Sequence, residues 1–223
     1  MTTVTFAGCG DAFGSGGRFQ ACIHLQPAGP PAPVLLDCGA TSLPALRRCG
    51  LDPGGIAAVF VSHLHGDHFG GLPFLILAEA MECLFPGSSR VRRRFAVEVA
   101  ELRPGGSAAV AGVRAQAFQA SHPSGAPALI LRLTLGGRVI AYTGDTAWTP
   151  AIAEAAAGAD LLIAEAYYWD KAVPHHLRHA DLLAHRDELT ARRTVLTHMS
   201  ADMLGRREQA CHQPAHDGLV LEL

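Results

Sequence analysis

The sequence predicts an α/β domain in which β-sheets are sandwiched between helices. Short apolar, β-branched-rich runs lead the chain, helical stretches are interspersed among them, and potential metal ligands fall just beyond the ends of several runs. The 223 residues are 49% hydrophobic and include 24 glycines and 14 prolines. This suits a turn-rich globular chain with a large core and excludes a disordered one. With no repeat, low-complexity tail or linker, residues 1–223 read as one domain.

Each element follows from local pattern. Val4–Phe6 is a strand running into the Gly-rich stretch Gly8–Gly17. Ala21–Leu25 and Val34–Leu36 form a strand pair around the Pro-rich turn Pro27–Pro33. Ser42–Cys49 is a short helix stopped by Gly50, and Ile56–Val61 reads as a buried strand. Leu72–Leu84 has helical length and apolarity. Val113–Phe118, Leu129–Leu135 and Val139–Tyr142 are strands, the last two joined by a Gly136-Gly137 hairpin turn. Thr149 caps a helix that has Pro150 at its first position and ends near Gly158. Leu161–Ala164 is a strand, Asp181–Arg192 a charged amphipathic helix, Thr194–Thr197 a strand and Leu219–Leu223 a last one.

Bulk properties narrow the function. The formal net charge of −2 does not call for nucleic acid, and the one basic run, Arg90 with Arg92, Arg93 and Arg94, reads as a solvated edge or loop. The six cysteines form no C-x-x-C pair, which argues against a Cys zinc site. The start shows no signal-peptide pattern, and several free thiols then suggest a reducing, cytoplasmic compartment. No apolar run is long enough to span a membrane. The Gly-rich stretch lacks the helix and Lys of a phosphate-binding loop.

The chemistry concentrates in Ser62-His63-Leu64-His65-Gly66-Asp67-His68, directly after a buried strand. On an extended segment His63 and His65 point the same way. Gly66 permits a sharp turn that lets Asp67 and His68 face a second ion. Imidazole and carboxylate ligands together suit zinc, with manganese or iron as alternatives. Four ligands do not complete two sites. The remaining candidates follow strand ends: His122 after Val113–Phe118, Asp145 after Val139–Tyr142, and His198 after Val195–Thr197.

The pattern His63-x-His65-x-Asp67-His68, then His122, Gly144-Asp145-Thr146 and Leu196-Thr197-His198, resembles the metallo-β-lactamase superfamily, in the order of its ribonuclease Z and phosphodiesterase branch. The resemblance runs from Phe6 to about Ser200. It implies a four-layer αββα sandwich with two zinc ions at one edge. His63, His65 and His122 would hold one ion; Asp67, His68 and His198 the other; Asp145 would bridge them. Asp37 matches the family's early Asp and would orient a ligand or loop from outside. Glu165, in Ala164-Glu165-Ala166, matches the branch's Glu-Ala segment. His176, 22 residues before His198, matches a histidine that protonates a leaving oxygen or binds an anion, although His175, His176 and His179 also read as a polar loop. Asp67 would also accept a hydrogen bond from a metal-bridging hydroxide.

The expected function is therefore dinuclear phosphodiester hydrolysis. Arylsulfatase, lactonase or thioesterase chemistry on the same centre, or a non-catalytic metal-binding protein, are the alternatives. Only 22 residues separate His122 from Asp145, which leaves no room there for the transfer-RNA-binding arm of ribonuclease Z. A small diester, cyclic ones included, is favoured over transfer RNA. A homodimer is compatible with the branch. Phe13, Phe19, Trp148, Tyr167, Tyr168 and Trp169 are candidates to line a pocket, with core packing as the plainer role.

Overall fold

The fold was taken from a computed structural model, which describes residues 1–76 and 96–223. Two sheets face each other. The first has the order β12-β1-β2-β3-β4, built from Leu219–Glu222, Thr3–Gly8, Cys22–Gln26, Val34–Leu36 and Ala58–Phe60. The second has the order β11-β10-β9-β8-β7-β6-β5. Its strands are Gln213–Pro214, Thr194–Thr197, Leu161–Glu165, Arg138–Tyr142, Pro127–Leu135, Val113–Pro123 and Ser107–Val110. The α-helices that lie wholly within the described residues are α1 (Ser42–Arg48), α2 (Gly66–Phe69), α3 (Pro150–Ala156), α4 (His179–Ala184) and α5 (Ala201–Gly205).

Side-chain alternation explains the layers. In β7, Leu129, Leu131 and Leu133 join Phe6, Ile23, Leu25 and Leu36 between the sheets. Ile130 points the other way, into a cluster with Ile152 and Ala155 of α3, Leu182 of α4 and Met203 of α5. On the outer face of the first sheet, Ala7, Cys22 and Leu35 pack on Ala45 and Leu46 of α1. Helices therefore cover both outer faces, giving the αββα sandwich.

Several expected bounds move. The Leu72–Leu84 helix is present at 72–76, and its remainder lies outside the described residues, as do the basic run from Arg90 and Cys83. The helix expected over Asp181–Arg192 is α4, which starts earlier because the Asp181 carboxylate accepts the Arg178 N–H at 3.0 Å. It ends at Ala184, where His185 stacks on Trp148 with centroids 3.8 Å apart. α3 begins at Pro150 as expected, but the Thr149 side chain makes no capping bond. β6 runs on to Pro123, so His122 lies within a strand rather than beyond one. A register shift between Gln119 and Pro123 lets the strand continue past Phe118.

β3 and β4 run parallel, as do β8, β9 and β10. Their carboxyl ends release Asp37, the His63–His68 segment, Asp145, Glu165 and His198 at one rim, the edge where α/β sheets place ligands. No helix among the described residues is long and apolar enough to cross a membrane.

Candidate metal centre

Two groups of donor atoms meet at this rim. His63, His65 and His122 form one; Asp67, His68, Asp145 and His198 form the other, which shares Asp145 and His198 with a further possible group that adds Glu165 and His176. In the first, His65 Nδ1 lies 3.1 Å from both His63 Nε2 and His122 Nε2. In the second, His198 Nε2 is 3.2 Å from Asp67 Oδ2, and His68 Nε2 is 3.4 Å from the same oxygen. Asp145 lies between the groups, with Oδ1 3.2 Å from His68 Nε2 and Oδ2 3.9 Å from His63 Nε2. All seven sequence-predicted ligands are thus brought together.

The local chain explains the convergence. Gly66 does not make the expected glycine-dependent turn. It begins α2, and a Cβ there would meet nothing within 4 Å. Asp67 and His68 face the centre because a helical turn starts after His65. Gly144 does need to be glycine: its φ is +55°, and a Cβ would lie 2.9 Å from that of Ser62. This close approach seats Asp145 against the His63 segment. His198 has φ +54° and donates its N–H to the Cys9 carbonyl at 3.1 Å.

Every ring nitrogen turned away from the centre in His63, His68, His122 and His198 has a partner. Ser62 Oγ lies 3.1 Å from His63 Nδ1, and Asp37 Oδ2 lies 2.7 Å from His68 Nδ1. The His175 carbonyl is 2.9 Å from His122 Nδ1, and Glu165 Oε1 is 3.2 Å from His198 Nδ1. Such contacts select a tautomer and leave the other nitrogen free to ligate. Asp37, fully buried, also accepts from the Ser62 N–H at 2.7 Å, Ser62 Oγ at 2.8 Å and Tyr142 Oη at 2.8 Å. Glu165 accepts the N–H groups of Thr146 and Leu177 and bonds His176 Nδ1 at 2.5 Å.

The electrostatics divide the groups. Burial, and then the neighbouring His68, push His63 down to about 3, so it stays neutral. Burial also lowers His198, but Asp145, Asp67 and Glu165 outweigh it and raise the imidazole to about 10. His68 is likewise raised: burial opposes, and Asp145 and Asp37 prevail. Burial would raise Asp67 and Asp145, yet the surrounding histidines hold both below the usual carboxylate range.

These residues fit divalent ions. His68 Nε2 and Asp145 Oδ1 are buried, near each other, and without a hydrogen bond. Buried polar atoms without partners are costly, and an ion between them would satisfy both. Three facing imidazole nitrogens form a second ready donor set.

Sequence reasoning missed Ser62, Tyr142 and Asp217. Ser62 and Tyr142 were visible only as strand-end residues beside the motifs. Asp217 carries no motif; it accepts the N–H groups of Cys9 and Phe19 at 3.1 and 2.8 Å, fastening the loop that holds His198. Of the candidate pocket aromatics, Tyr167 reaches the centre, its ring 4.6 Å from that of His176. Trp148 and Trp169 pack instead against the outer helical cluster.

Comparison with known proteins agrees with this geometry. The family described as Beta-lactamase superfamily domain matches residues 33–199. A segment of 79 residues, 35% of the chain, is 38% identical to zinc phosphodiesterase ELAC protein 1 of Homo sapiens, and 59 residues are 39% identical to ribonuclease BN of Salmonella. The matched segments span about a fifth of those relatives, 21% and 19%. Among solved structures, the metallo-β-lactamase fold protein YhfI from Bacillus subtilis superposes with a TM-score of 0.81 at 20% identity, covering 100% of this chain and 99% of that one. A diphosphatase from the PhnP family gives 0.78 at 22%, covering 100% and 98%, and human short-form tRNase Z gives 0.71 at 24%, covering 99% and 98%. The chain belongs to the metallo-β-lactamase superfamily, with ribonuclease Z and phosphodiesterase-like proteins among its relatives.

Proposed function

We propose that this protein is a two-metal hydrolase that cleaves a small phosphodiester. The observation that carries the reading is the pair of adjoining donor sets, with His68 Nε2 and Asp145 Oδ1 buried 3.2 Å apart and neither hydrogen-bonded. His63, His65 and His122 would hold one ion, Asp67, His68 and His198 the other, and Asp145 would serve both. Zinc suits the donors best, with manganese or iron as alternatives. When bound, two such ions supply Lewis acidity at phosphorus, a nucleophilic water near neutral pH, and charge for the substrate oxygens.

The chain's own residues do the rest. Asp37 and Glu165 orient His68 and His198. Asp67 would accept a hydrogen bond from the attacking water. His176 supplies the proton. Burial lowers its affinity for one, but Glu165 more than restores it, so His176 is raised above its ordinary value. With Nδ1 held by Glu165, Nε2 can protonate the departing alkoxide.

The substrate assignment rests on what surrounds the centre. The chain between His122 and Asp145 is spent on the end of β6, β7 and β8, with the tight Gly136-Gly137 turn between the last two. No arm for a folded RNA arises there. Bis(p-nitrophenyl) phosphate should therefore be turned over with Zn2+ or Mn2+ present, ahead of p-nitrophenyl sulfate, a lactone panel and precursor transfer RNA. Absence of diesterase activity in protein carrying two ions would reject the reading.

A further inference from the structure

The loop between β9 and α4 touches both donor sets through consecutive residues. His176 bonds Glu165, which also holds His198. Leu177 donates its N–H to the other oxygen of Glu165 at 3.1 Å and accepts the Tyr167 N–H at 2.8 Å. One residue earlier, the His175 carbonyl meets His122 Nδ1 at 2.9 Å. His175 achieves this with φ +67°, in the left-handed region that Asn, Asp and His enter more readily than other L residues and that β-branched residues avoid. Its side chain is exposed, with its ring centroid 6.5 Å from that of His122, beyond hydrogen-bonding contact. The backbone conformation, not the imidazole, thus connects this residue to the centre.

We propose that His175 is a positioning residue whose left-handed backbone aims its carbonyl at His122, fixing the tautomer with Nε2 free and so the ion affinity of the three-histidine set. The proposal rests on the two-metal reading. A β-branched residue at 175 would be driven out of this conformation, swinging the carbonyl away, whereas Gly and Asn would keep it. His122 would then exchange tautomers, and its set would bind more weakly.

The test compares His175→Gly, His175→Asn and His175→Val in two measurements. In ion-free protein, 15N shifts of the His122 ring should report an unprotonated Nε2 in wild type, Gly and Asn variants, and a tautomer mixture in the Val variant. In Zn2+ titrations against a competing chelator, the Val variant should lose about 10- to 100-fold in one of two binding steps, the usual effect of losing an outer partner of a ligand, with the other step unchanged. The Gly and Asn variants should bind as wild type does. A Val variant with wild-type shifts and affinities would overturn the proposal. So would a Gly variant as impaired as Val, since the side chain would then be responsible. If wild type bound no zinc, the two-metal reading would fail, and the ring shifts would still decide what His175 does to His122.

Discussion

The two donor sets sit side by side yet are built on opposite principles. His63, His65 and His122 offer nitrogen alone; His65 and His122 are only partly buried, and His63 is held neutral. Asp67, His68, Asp145 and His198 are all buried and mix two carboxylates with two imidazoles that carry raised proton affinities. Without an ion, protons on His68 and His198 balance the charge of the second set. The first set needs no such balance. An ion entering the buried set must expel protons; one entering the open set need not.

The largest effect should come from Asp145, the residue proposed to serve both sets. Asp145→Ala should lower kcat/KM for bis(p-nitrophenyl) phosphate by about 1,000-fold or more, the scale of lost preorganised charge, and should lower ion content measured by metal analysis. Retained activity would dismiss its place between the sets. Next, His65→Ala should remove one ion per chain and nearly all turnover while leaving the buried set able to bind the other. Loss of both ions would show the sets to be one cooperative unit.

A smaller effect is expected from Asp37→Asn. The amide still fills the space but cannot accept from Ser62, Tyr142 and His68 together, so ion affinity should fall by about 10- to 100-fold, read by chelator competition. The smallest and most discriminating effect concerns pH. His198, at about 10 when folded and near 6.5 when unfolded, stabilises the ion-free protein fully below about pH 6.5 and progressively less as pH rises toward 10. His63 acts in the opposite direction. The unfolded chain takes up a proton below about pH 6.5 that the folded site refuses down to about 3, so stability falls as pH drops through that window. Urea midpoints of ion-free protein should therefore decline on both sides of near-neutral pH. His198→Gln should make the alkaline limb shallower, with the likewise raised His68 sustaining what remains of it.

The same division explains what could be read from the sequence. The His63–His68 cluster is local, so its spacing announces it without any knowledge of the fold. Asp145 and His198 were legible one step further out, because apolar strands end immediately before them. His122 was identified but misplaced, since a register shift within β6 has no signature in residue type. β5, with its alternating exposure in Ser-Ala-Ala-Val, and the two-residue β11 carry too little apolar pattern to be recognised as strands. The partners Ser62 and Tyr142 become meaningful only once the two sheets bring them to Asp37.

Asp217 sets a condition on when such a centre can exist. Its carboxylate holds the backbone of Cys9 and Phe19, and Cys9 in turn receives the N–H of His198. β12, just beyond, pairs with β1 from Thr3↔Glu222 to Phe6↔Leu219. All seven donors precede Asp217 and β12 in the chain. A product truncated before residue 217 would therefore carry every candidate ligand while lacking the brace that holds the loop under His198.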